Sequence, residues 1–321
     1  MTTLSTPERR SGLSFEQTVP CSQAHRRCLG EVFVADTAAL GGTEFLAAIQ
    51  IPRAHSLWSD RVVPYHDPLA AIEAIRQAMT VIGHRYLQVP SGSPLSLQRM
   101  QAEVEDLSAL YEQPGTPLEG VVRIHTDRHS GGSGYFTDSS FTATLTIGAA
   151  IALSVRGGGV AFPPEAYREF RAHQQRGRPP EGEPAAAVEP APPGRVGRRD
   201  PRNVVIGDPP VDPGDSATMA LIVDQLHPSF FDHSYDHVPG PLMLEGFRQA
   251  ALCVAGPQAV VALNAEFSGF AELGGHLEYL ARYDGDAEVD IALSQFGTTI
   301  AECLVELSPY PIDAQPRGVL R

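Results

Sequence analysis

Hydrophobic and polar positions follow the same order of patterns in both halves of the chain. In the first half, two short apolar runs predict strands over 28–36 and 44–52, with a turn at Gly41-Gly42. Apolar residues at helical spacing then predict a helix from about Pro68 to Tyr86, which begins after Asp67 as its N-cap. Alternating patterns after this helix predict four more strands, over 101–107, 118–126, 134–147 and 149–156.

The second half repeats this order. Two strands are predicted over 203–208 and 217–224, followed by a helix over 241–254 that is apolar on more of its circumference than the first. Between the halves lie a short predicted helix over 163–175 and a stretch rich in Pro, Ala, Gly and Glu without apolar periodicity. The remaining strands are predicted over 262–267, 276–283, 288–295 and 298–307.

One apolar helix between runs of antiparallel strands predicts a sheet that wraps around that helix, which is the hotdog arrangement. The fold class expected is therefore α+β, a tandem or double hotdog in which each half is an antiparallel sheet around a long central helix. The predicted divisions are a flexible arm over 1–17, a first hotdog domain over 18–176, a linker over 177–197 and a second hotdog domain over 198–321.

A motif of the second half superimposes on the first without a gap, under the constant offset in residue number that takes His55 to His227, and this indicates a tandem duplication. One matched pair differs in kind, because Arg61 stands where the second copy has His233. Histidine titrates near neutral pH whereas arginine is a permanent cation, so we expect a shared scaffold with different chemistry. The matched positions are His55 with His227, Asp60 with Asp232, and Glu73-x-x-Arg76-Gln77 with Glu245-x-x-Arg248-Gln249.

Composition narrows the classes of function. The 321 residues carry a net charge of −14 at pH 7, which argues against a nucleic-acid partner. No apolar run is long enough to span a bilayer and the N-terminus has no signal-peptide core, so a cytoplasmic protein without a membrane partner is expected. The four cysteines form no disulfide framework and are interpreted as structural thiols. No cofactor is expected.

Two groups of residues have rival interpretations. The carboxylates and imidazoles of Asp232, His233, Asp236 and His237 are of the types that bind metals, but they lie in a predicted loop without a third distant ligand, and no metal is expected. His55 and His227 occur in both copies, which favours a structural role such as a buried hydrogen bond. Cys253 is interpreted as a buried core thiol.

The stretch from His233 to Glu245 resembles the active-site segment of hotdog β-hydroxyacyl-carrier-protein dehydratases. A loop histidine precedes Pro239-Gly240, which opens the helix, and an acidic residue follows. The first amides of the helix can hold an acyl carbonyl, and a histidine near a glutamate forms an acid–base pair. Carried over from the dehydratases, the resemblance implies that His233 faces Glu73 and that Arg61 faces Glu245.

The chain as a whole resembles the A-factor biosynthesis (AfsA-type) hotdog family, over roughly residues 20–310. The resemblance implies transfer of a β-ketoacyl chain from acyl carrier protein to the hydroxyl of dihydroxyacetone phosphate. The ester formed is a precursor of γ-butyrolactone signals, and related members make butenolides or furans by the same condensation. The motifs that carry it are Pro52-Arg53-Ala54-His55-Ser56, His66-Asp67-Pro68-Leu69, Glu73-x-x-Arg76-Gln77, Val196-Gly197-Arg198, and Phe231-Asp232-His233-x-x-Asp236-His237-Val238-Pro239-Gly240 with Glu245-x-x-Arg248-Gln249.

Ester formation needs a base near the attacking hydroxyl, a donor at the acyl oxyanion and cations for the phosphate. Glu73 or Glu245 is a candidate for the base, and His233 for base or donor. The expected catalytic residues are therefore Glu73, Glu245, Arg248 and His233. The residues expected to bind substrate or phosphate are Arg76, Arg61, Gln77, Gln249, Gly240 and His237.

Two other function classes remain open at the level of sequence. A hotdog dehydratase or thioesterase acting on a carrier-bound acyl chain would use the same histidine and glutamates, although the arginine in both copies is unexpected in a simple dehydratase. A non-catalytic ligand-binding protein would need no acid–base pair. A double hotdog is already a pseudo-dimer, so a monomer or a homodimer is expected.

Overall fold

The computed structural model describes residues 12–130, 136–176, 188–209 and 216–310. Most of the predicted N-terminal arm and residues 177–187 of the predicted linker lie outside these ranges. The described residues group into two compact units, and the units interleave along the chain. Unit 1 takes its residues from Met1–His55, Tyr65–Leu97 and Ala102–Tyr167, and unit 2 from Ser56–Pro64, Gln98–Gln101 and Arg168–Arg321.

Unit 1 contains one long helix and an antiparallel sheet with the strand order β1-β2-β4-β5-β6. The helix α1 packs against β1 and β2. It begins where the sequence predicts, because Pro68 fits the first turn and the Asp67 side chain accepts a hydrogen bond from the Leu69 amide at 3.0 Å. The elements are β1 Val34–Gly41, β2 Glu44–Ile51, α1 Pro68–Tyr86, β3 Leu95–Val104, β4 Leu118–Ser130, β5 Phe136–Ile147 and β6 Ala150–Ala161.

Unit 2 repeats this architecture with the strand order β8-β11-β10-β9-β7, again antiparallel. Its helix α3 packs against β7, β9, β10 and β11 and is buried without interruption from Leu242 to Cys253. The elements are α2 Pro164–Arg176, β7 Ser216–Ala220, α3 Gly240–Ala255, β8 Ala259–Phe267, β9 Leu277–Tyr283, β10 Glu288–Gln295 and β11 Thr298–Ser308. Each unit is therefore an antiparallel sheet around a long helix, and the predicted double hotdog is confirmed.

Several predicted strands differ from the structure, and the strand predicted over 217–224 ends already at Ala220. The run 28–36 begins with a 3-10 turn over Leu29–Glu31, and the run 203–208 forms only isolated bridges after a 3-10 turn over Pro201–Asn203. In both places helix side chains take the backbone hydrogen bonds that a neighbouring strand would otherwise use, as described below. The strand predicted over 101–107 runs instead over Leu95–Val104.

Candidate functional site

The carboxylate of Glu73 lies at the centre of a buried cluster on α1. It accepts hydrogen bonds from Arg76 Nε and Nη2, from Gln77 Nε2, all at 2.8 Å, and from Arg26 Nη2. Arg76 and Gln77 reach it because residues three and four apart share a helix face. Burial raises the pKa of the Glu73 carboxyl, but the charges of Arg76 and Arg26, with hydrogen bonds from Arg76 and Gln77, outweigh burial and hold the pKa well below its ordinary value.

Unit 2 contains the same cluster around Glu245 on α3. Glu245 accepts hydrogen bonds from Arg198 Nε at 2.9 Å, from Arg248 Nε at 2.9 Å and Nη2 at 2.6 Å, and from Gln249 Nε2 at 2.5 Å. Burial again raises the pKa of the carboxyl, and the charges of Arg198 and Arg248 overcome it and lower the pKa to about 2. The Glu245 side chain has no exposed surface. Both glutamates are thus ionised and saturated with donors.

The second arginine of each cluster comes from outside the helix and is not among the residues expected in the site from sequence. Arg26 and Arg198 are nevertheless related by the same offset that takes His55 to His227. Arg198 also donates to the carbonyl oxygens of Leu57 at 3.1 Å and Asp60 at 2.8 Å, so it links α3 to the segment Ser56–Pro64. Extending the repeat upstream of the motif is the signal that finds both arginines.

The side chains of the two glutamines of the motif form hydrogen bonds with backbone groups. Gln77 accepts from the Phe33 amide at 2.9 Å and donates to the Glu31 carbonyl at 2.8 Å. Gln249 does the same for the matched residues, accepting from the Val205 amide at 2.9 Å and donating to the Asn203 carbonyl at 2.7 Å. Both side chains have no solvent exposure. Their predicted role in substrate binding stays a prediction, and it would require these hydrogen bonds to exchange.

The paired histidines upstream of the loops have structural contacts, as the sequence indicates. His55 Nε2 lies 3.3 Å from the Glu31 carboxylate, and His227 Nε2 lies 3.1 Å from the Asn203 side-chain oxygen. The two partners, Glu31 and Asn203, also occupy matched positions of the repeat. His227 therefore makes a buried hydrogen bond and His55 a close contact with a carboxylate, while the structural role of the two histidines stays a prediction.

The loop before α3 contains an imidazole with one nitrogen fixed and the other free. His233 Nδ1 lies 2.7 Å from Asp232 Oδ1, and its ring stacks on Tyr235 with centroids 4.1 Å apart. An ionised carboxylate can only accept, so Nδ1 carries the proton and Nε2 has an open lone pair. Within the described residues no hydrogen bond occupies Nε2, and a quarter of the side chain is exposed. This arrangement fits a general base whose cationic form Asp232 stabilises.

His237, the second histidine of the loop, is also held by the residue before it. Its Nδ1 lies 2.6 Å from Asp236 Oδ1, and its ring meets Phe270 edge to face with centroids 4.6 Å apart. Tyr235 lies between the two histidines, 6.1 Å from His237 by ring centroids. The loop therefore presents two oriented imidazoles around one tyrosine.

The N-termini of the two central helices differ at matched positions. In α1 the Asp67 side chain caps the first turn and Pro68 has no amide hydrogen. In α3 the corresponding residues are Pro239 and Gly240, and no side chain caps the helix. Backbone amides at a helix start favour negative charge, so the open end of α3 offers a donor for an acyl oxyanion where α1 offers none.

The remaining predicted cations differ in exposure. Arg76 uses Nε and Nη2 for Glu73, which leaves Nη1 for another acceptor, and 23% of its side chain is exposed. Arg248 is more buried and also donates to the Val196 carbonyl at 3.1 Å. Arg61, at the position of His233 in the first copy, is buried beside the Trp58 carbonyl. The predicted facing of His233 with Glu73 and of Arg61 with Glu245 stays a prediction.

No group of three or more His, Cys, Asp or Glu residues in the part of the chain that the structure describes is arranged to hold a metal ion. No helix there is long and apolar enough to cross a membrane.

Comparison with known proteins gives one family. The profile of the AfsA family, the A-factor biosynthesis hotdog domain, matches residues 9–152 and 181–274. The chain is also 30% identical over 304 residues to a 2-oxo-3-(phosphooxy)propyl 3-oxoalkanoate synthase from Streptomyces virginiae, covering 90% of this chain and 97% of that protein. A synthase of the same name from Streptomyces griseus is 28% identical over 270 residues, covering 80% of this chain and 82% of that protein.

Solved structures give a more distant likeness. The 12:0-ACP thioesterase from Umbellularia californica is 10% identical with a TM-score of 0.48, over 85% of this chain and all of that one. This likeness is too distant to bear on the reaction.

Proposed function

The chain belongs to the A-factor biosynthesis hotdog family, and from this premise we propose that it transfers a β-ketoacyl chain from acyl carrier protein to the hydroxyl of dihydroxyacetone phosphate. The product is a phosphorylated β-ketoester, the precursor of a γ-butyrolactone-type signalling molecule. Support comes from the two Streptomyces relatives, whose name, 2-oxo-3-(phosphooxy)propyl 3-oxoalkanoate synthase, describes such an ester. The proposal places the reaction in the cytoplasm.

The observation that carries the mechanism is the Asp232–His233 pair with its open Nε2. General-base catalysis works best when the pKa of the base lies near the working pH, which suits an imidazole. The carboxyls of Glu73 and Glu245 have pKa values far below that range and four hydrogen bonds each. In the mechanism that we propose, His233 is the base and the glutamates hold the arginines in place.

The proton and the acyl group then move in a balanced sequence. His233 Nε2 takes the hydroxyl proton as the hydroxyl oxygen attacks the thioester carbonyl and forms the new C–O bond. The oxyanion accepts a hydrogen bond from the Gly240 amide at the open end of α3. The C–S bond breaks, and the thiolate leaving group takes the proton back from His233. Asp232 stabilises the imidazolium between these two steps.

The phosphate of the acceptor needs a cation. The repeated motif offers Arg76 and Arg248 for this role, because the glutamate beside each arginine fixes its Nε and Nη2 groups. A guanidinium whose orientation is already fixed loses little entropy on binding a phosphate.

The test is a product assay by mass spectrometry with a β-ketoacyl thioester and dihydroxyacetone phosphate. We expect the wild-type chain to form the phosphorylated β-ketoester. His233→Gln should lower the rate by about 10²- to 10⁴-fold, because the base is gone, and Asp232→Asn should lower it less. The matched control is His125→Gln, since His125 also pairs with carboxylates, Glu44 and Asp127, but lies on β4. It should keep the wild-type rate.

Other products would reassign the protein. Loss of water from a hydroxyacyl thioester, or release of free acid without ester, would place it with dehydratases or thioesterases. Untouched thioester in every mixture would favour a ligand-binding protein. An ester formed at the wild-type rate by His233→Gln would keep the function and remove His233 from the mechanism.

A further inference from the structure

One buried arginine lies outside both glutamate clusters. Among the residues of α2, all of them described, Arg171 alone is buried. Its guanidinium donates to Glu272 through Nη1 at 2.5 Å and Nη2 at 2.8 Å, and to Gln174 through Nη1 at 2.9 Å. It also donates to Asp236, from Nε to the carboxylate at 3.2 Å and from Nη2 to the backbone carbonyl at 2.9 Å. All five N–H groups are therefore used.

Asp236 connects this arginine to the histidine loop. Its Oδ2 accepts from Arg171, while its Oδ1 lies 2.6 Å from His237 Nδ1. The guanidinium carbon of Arg171 also lies 4.9 Å from the centroid of the Phe270 ring, and the same ring contacts His237 edge to face. Arg171 thus supports His237 from two sides, through a carboxylate and through an aromatic ring.

The matched loop of the first half has no such connection. At the matched positions of the repeat, Pro64 stands for Asp236 and Tyr65 for His237. Pro64 has no side-chain acceptor for a guanidinium, and Tyr65 has no imidazole. The duplicated scaffold therefore keeps its glutamate clusters in both halves, but the carboxylate link occurs only at the loop that carries His233.

The ion pair with Glu272 would by itself neutralise Arg171. The bonds to Asp236 are additional, and one of them goes to backbone three residues after His233. The side chain of Asp236 is half exposed, so its carboxylate does not itself need a buried partner, while its two acceptors satisfy N–H groups of the buried Arg171. The bonds also restrict an irregular stretch of backbone, and a displacement of about 1 Å in such a stretch can cost about 100-fold in rate.

We propose that Arg171 is a positioning residue: by holding Asp236 it fixes the loop over 232–239, and with it the orientation of His233 and His237. The inference rests on the proposed function for its kinetic consequence, while its structural consequence can be measured alone. Arg171 touches no reacting atom and acts through the loop.

The first measurement compares kcat and KM in the ester-forming assay. Arg171→Lys keeps the charge near Glu272 but cannot reach Asp236 and Glu272 together. We expect kcat to fall by about 10- to 100-fold with KM little changed, because the loop is displaced and binding contacts remain. Asp236→Asn should have a similar effect, and the double variant should be no worse than the poorer single variant. Effects on kcat that multiply independently would overturn the proposal.

The second measurement does not need activity. Histidine labelled with ¹³C at Cε1 gives one resonance per imidazole, and Arg171→Lys should shift those of His233 and His237. The matched control is Arg85→Lys, since Arg85 ties α1 to Gln23 at 2.7 Å and Thr37 at 2.9 Å in unit 1. It should leave both resonances and kcat unchanged.

The kinetic and the spectroscopic measurements distinguish failure of the proposed function from failure of the role proposed for Arg171. If the wild-type chain forms no ester, the proposed function fails, and the histidine spectra still decide the role of Arg171. If Arg171→Lys leaves the His233 and His237 resonances at their wild-type positions, Arg171 is only a structural ion-pair partner. To allow for the cost of an unpaired carboxylate, Arg171→Met with Glu272→Met removes both buried charges together and should give the same spectral change in a folded protein.

Discussion

At the scale of single residues, the two glutamates are best understood through their arginines. Glu245 is fully buried with two guanidinium groups and an amide around it. Each guanidinium away from water is costly unless a carboxylate faces it, so the carboxylate stabilises the fold by keeping both arginines paired. The same reasoning applies to Glu73 with Arg26 and Arg76.

This predicts a large effect from a small change. Glu245→Gln keeps the shape of the side chain but leaves two buried cations without a counter-charge. We expect a loss of about 3–5 kcal/mol in the free energy of unfolding, measured by urea denaturation followed by circular dichroism. Glu44→Gln is the control, since Glu44 pairs with Arg123 and His125 at the surface and should cost less than about 1 kcal/mol. Equal effects of the two variants would contradict the role of the cluster.

The contacts of single side chains are also the feature that is hardest to predict from sequence. Glu73, Arg76 and Gln77 were expected in the site because they recur as a motif. Asp232 was not among the residues expected to act in the reaction, because its contact with the His233 ring depends on side-chain directions within that loop. Arg171 gave no signal at all, since its partners lie 65 and 101 residues further along the chain.

At the scale of elements, α3 contains a glycine, Gly246, at a tight contact with β9. A Cβ on Gly246 would overlap the hydroxyl group of Tyr279, which donates to the Met243 carbonyl at 3.0 Å. The helix and β9 can approach this closely only without a side chain at that position. Burial raises the pKa of the Tyr279 hydroxyl well above its usual value, so it stays a neutral donor.

Gly246→Ala should therefore destabilise the protein although alanine favours helix. We expect a loss of about 1–3 kcal/mol in the free energy of unfolding from overpacking. The control is Gly83→Ala in α1, where a new Cβ meets Val89 at an ordinary 3.5 Å, and a gain of up to about 1 kcal/mol is expected. Thermal unfolding of both variants beside the wild type decides the point. A stabilised Gly246→Ala variant would show that Tyr279 moves without cost.

The helices were more predictable than the strands. The predicted start and end of α1 agree with the structure, because an apolar stripe and a proline after an N-cap aspartate are local signals. The ends of 28–36 and 203–208 were wrong, because Gln77 and Gln249, 44 residues further along, take the backbone groups. The local sequence pattern of a strand carries no information about a hydrogen bond from the side chain of a distant helix.

At the scale of the whole molecule, both clusters make stability depend on pH in the same direction. The pKa of Glu245 is about 2 in the folded state and near 4.5 in the unfolded chain. A lowered folded pKa gives stability that is complete above about pH 4.5 and is lost as pH falls toward about 2. Glu73 contributes with the same sign.

The wild-type chain should therefore lose stability in acid faster than Glu245→Gln, which has no group to titrate at that position. Between about pH 6 and about pH 3.5 we expect the wild-type free energy of unfolding to fall by about 1 kcal/mol more than that of the variant. Urea midpoints at the two pH values measure the difference. Parallel losses would mean that the Glu245 carboxyl titrates alike in both states.

The overall architecture was the most predictable level of all, because the order of strands and helix occurs twice in the sequence. One constant offset in residue number relates the starts of α1 and α3, both glutamates, both outer arginines and both glutamines. What the repeat could not give is the role of each half, since that depends on the few positions where the copies differ.

Those differences have an evolutionary consequence. In a dimer of identical subunits one gene encodes both halves, so every mutation appears twice and neither copy can specialise. Here each half has its own codons, and a change at position 61 leaves position 233 untouched. The loop with Arg61 and the loop with His233 are therefore free to change separately, so a duplicated pair of sites can give rise to a single chain with unequal halves.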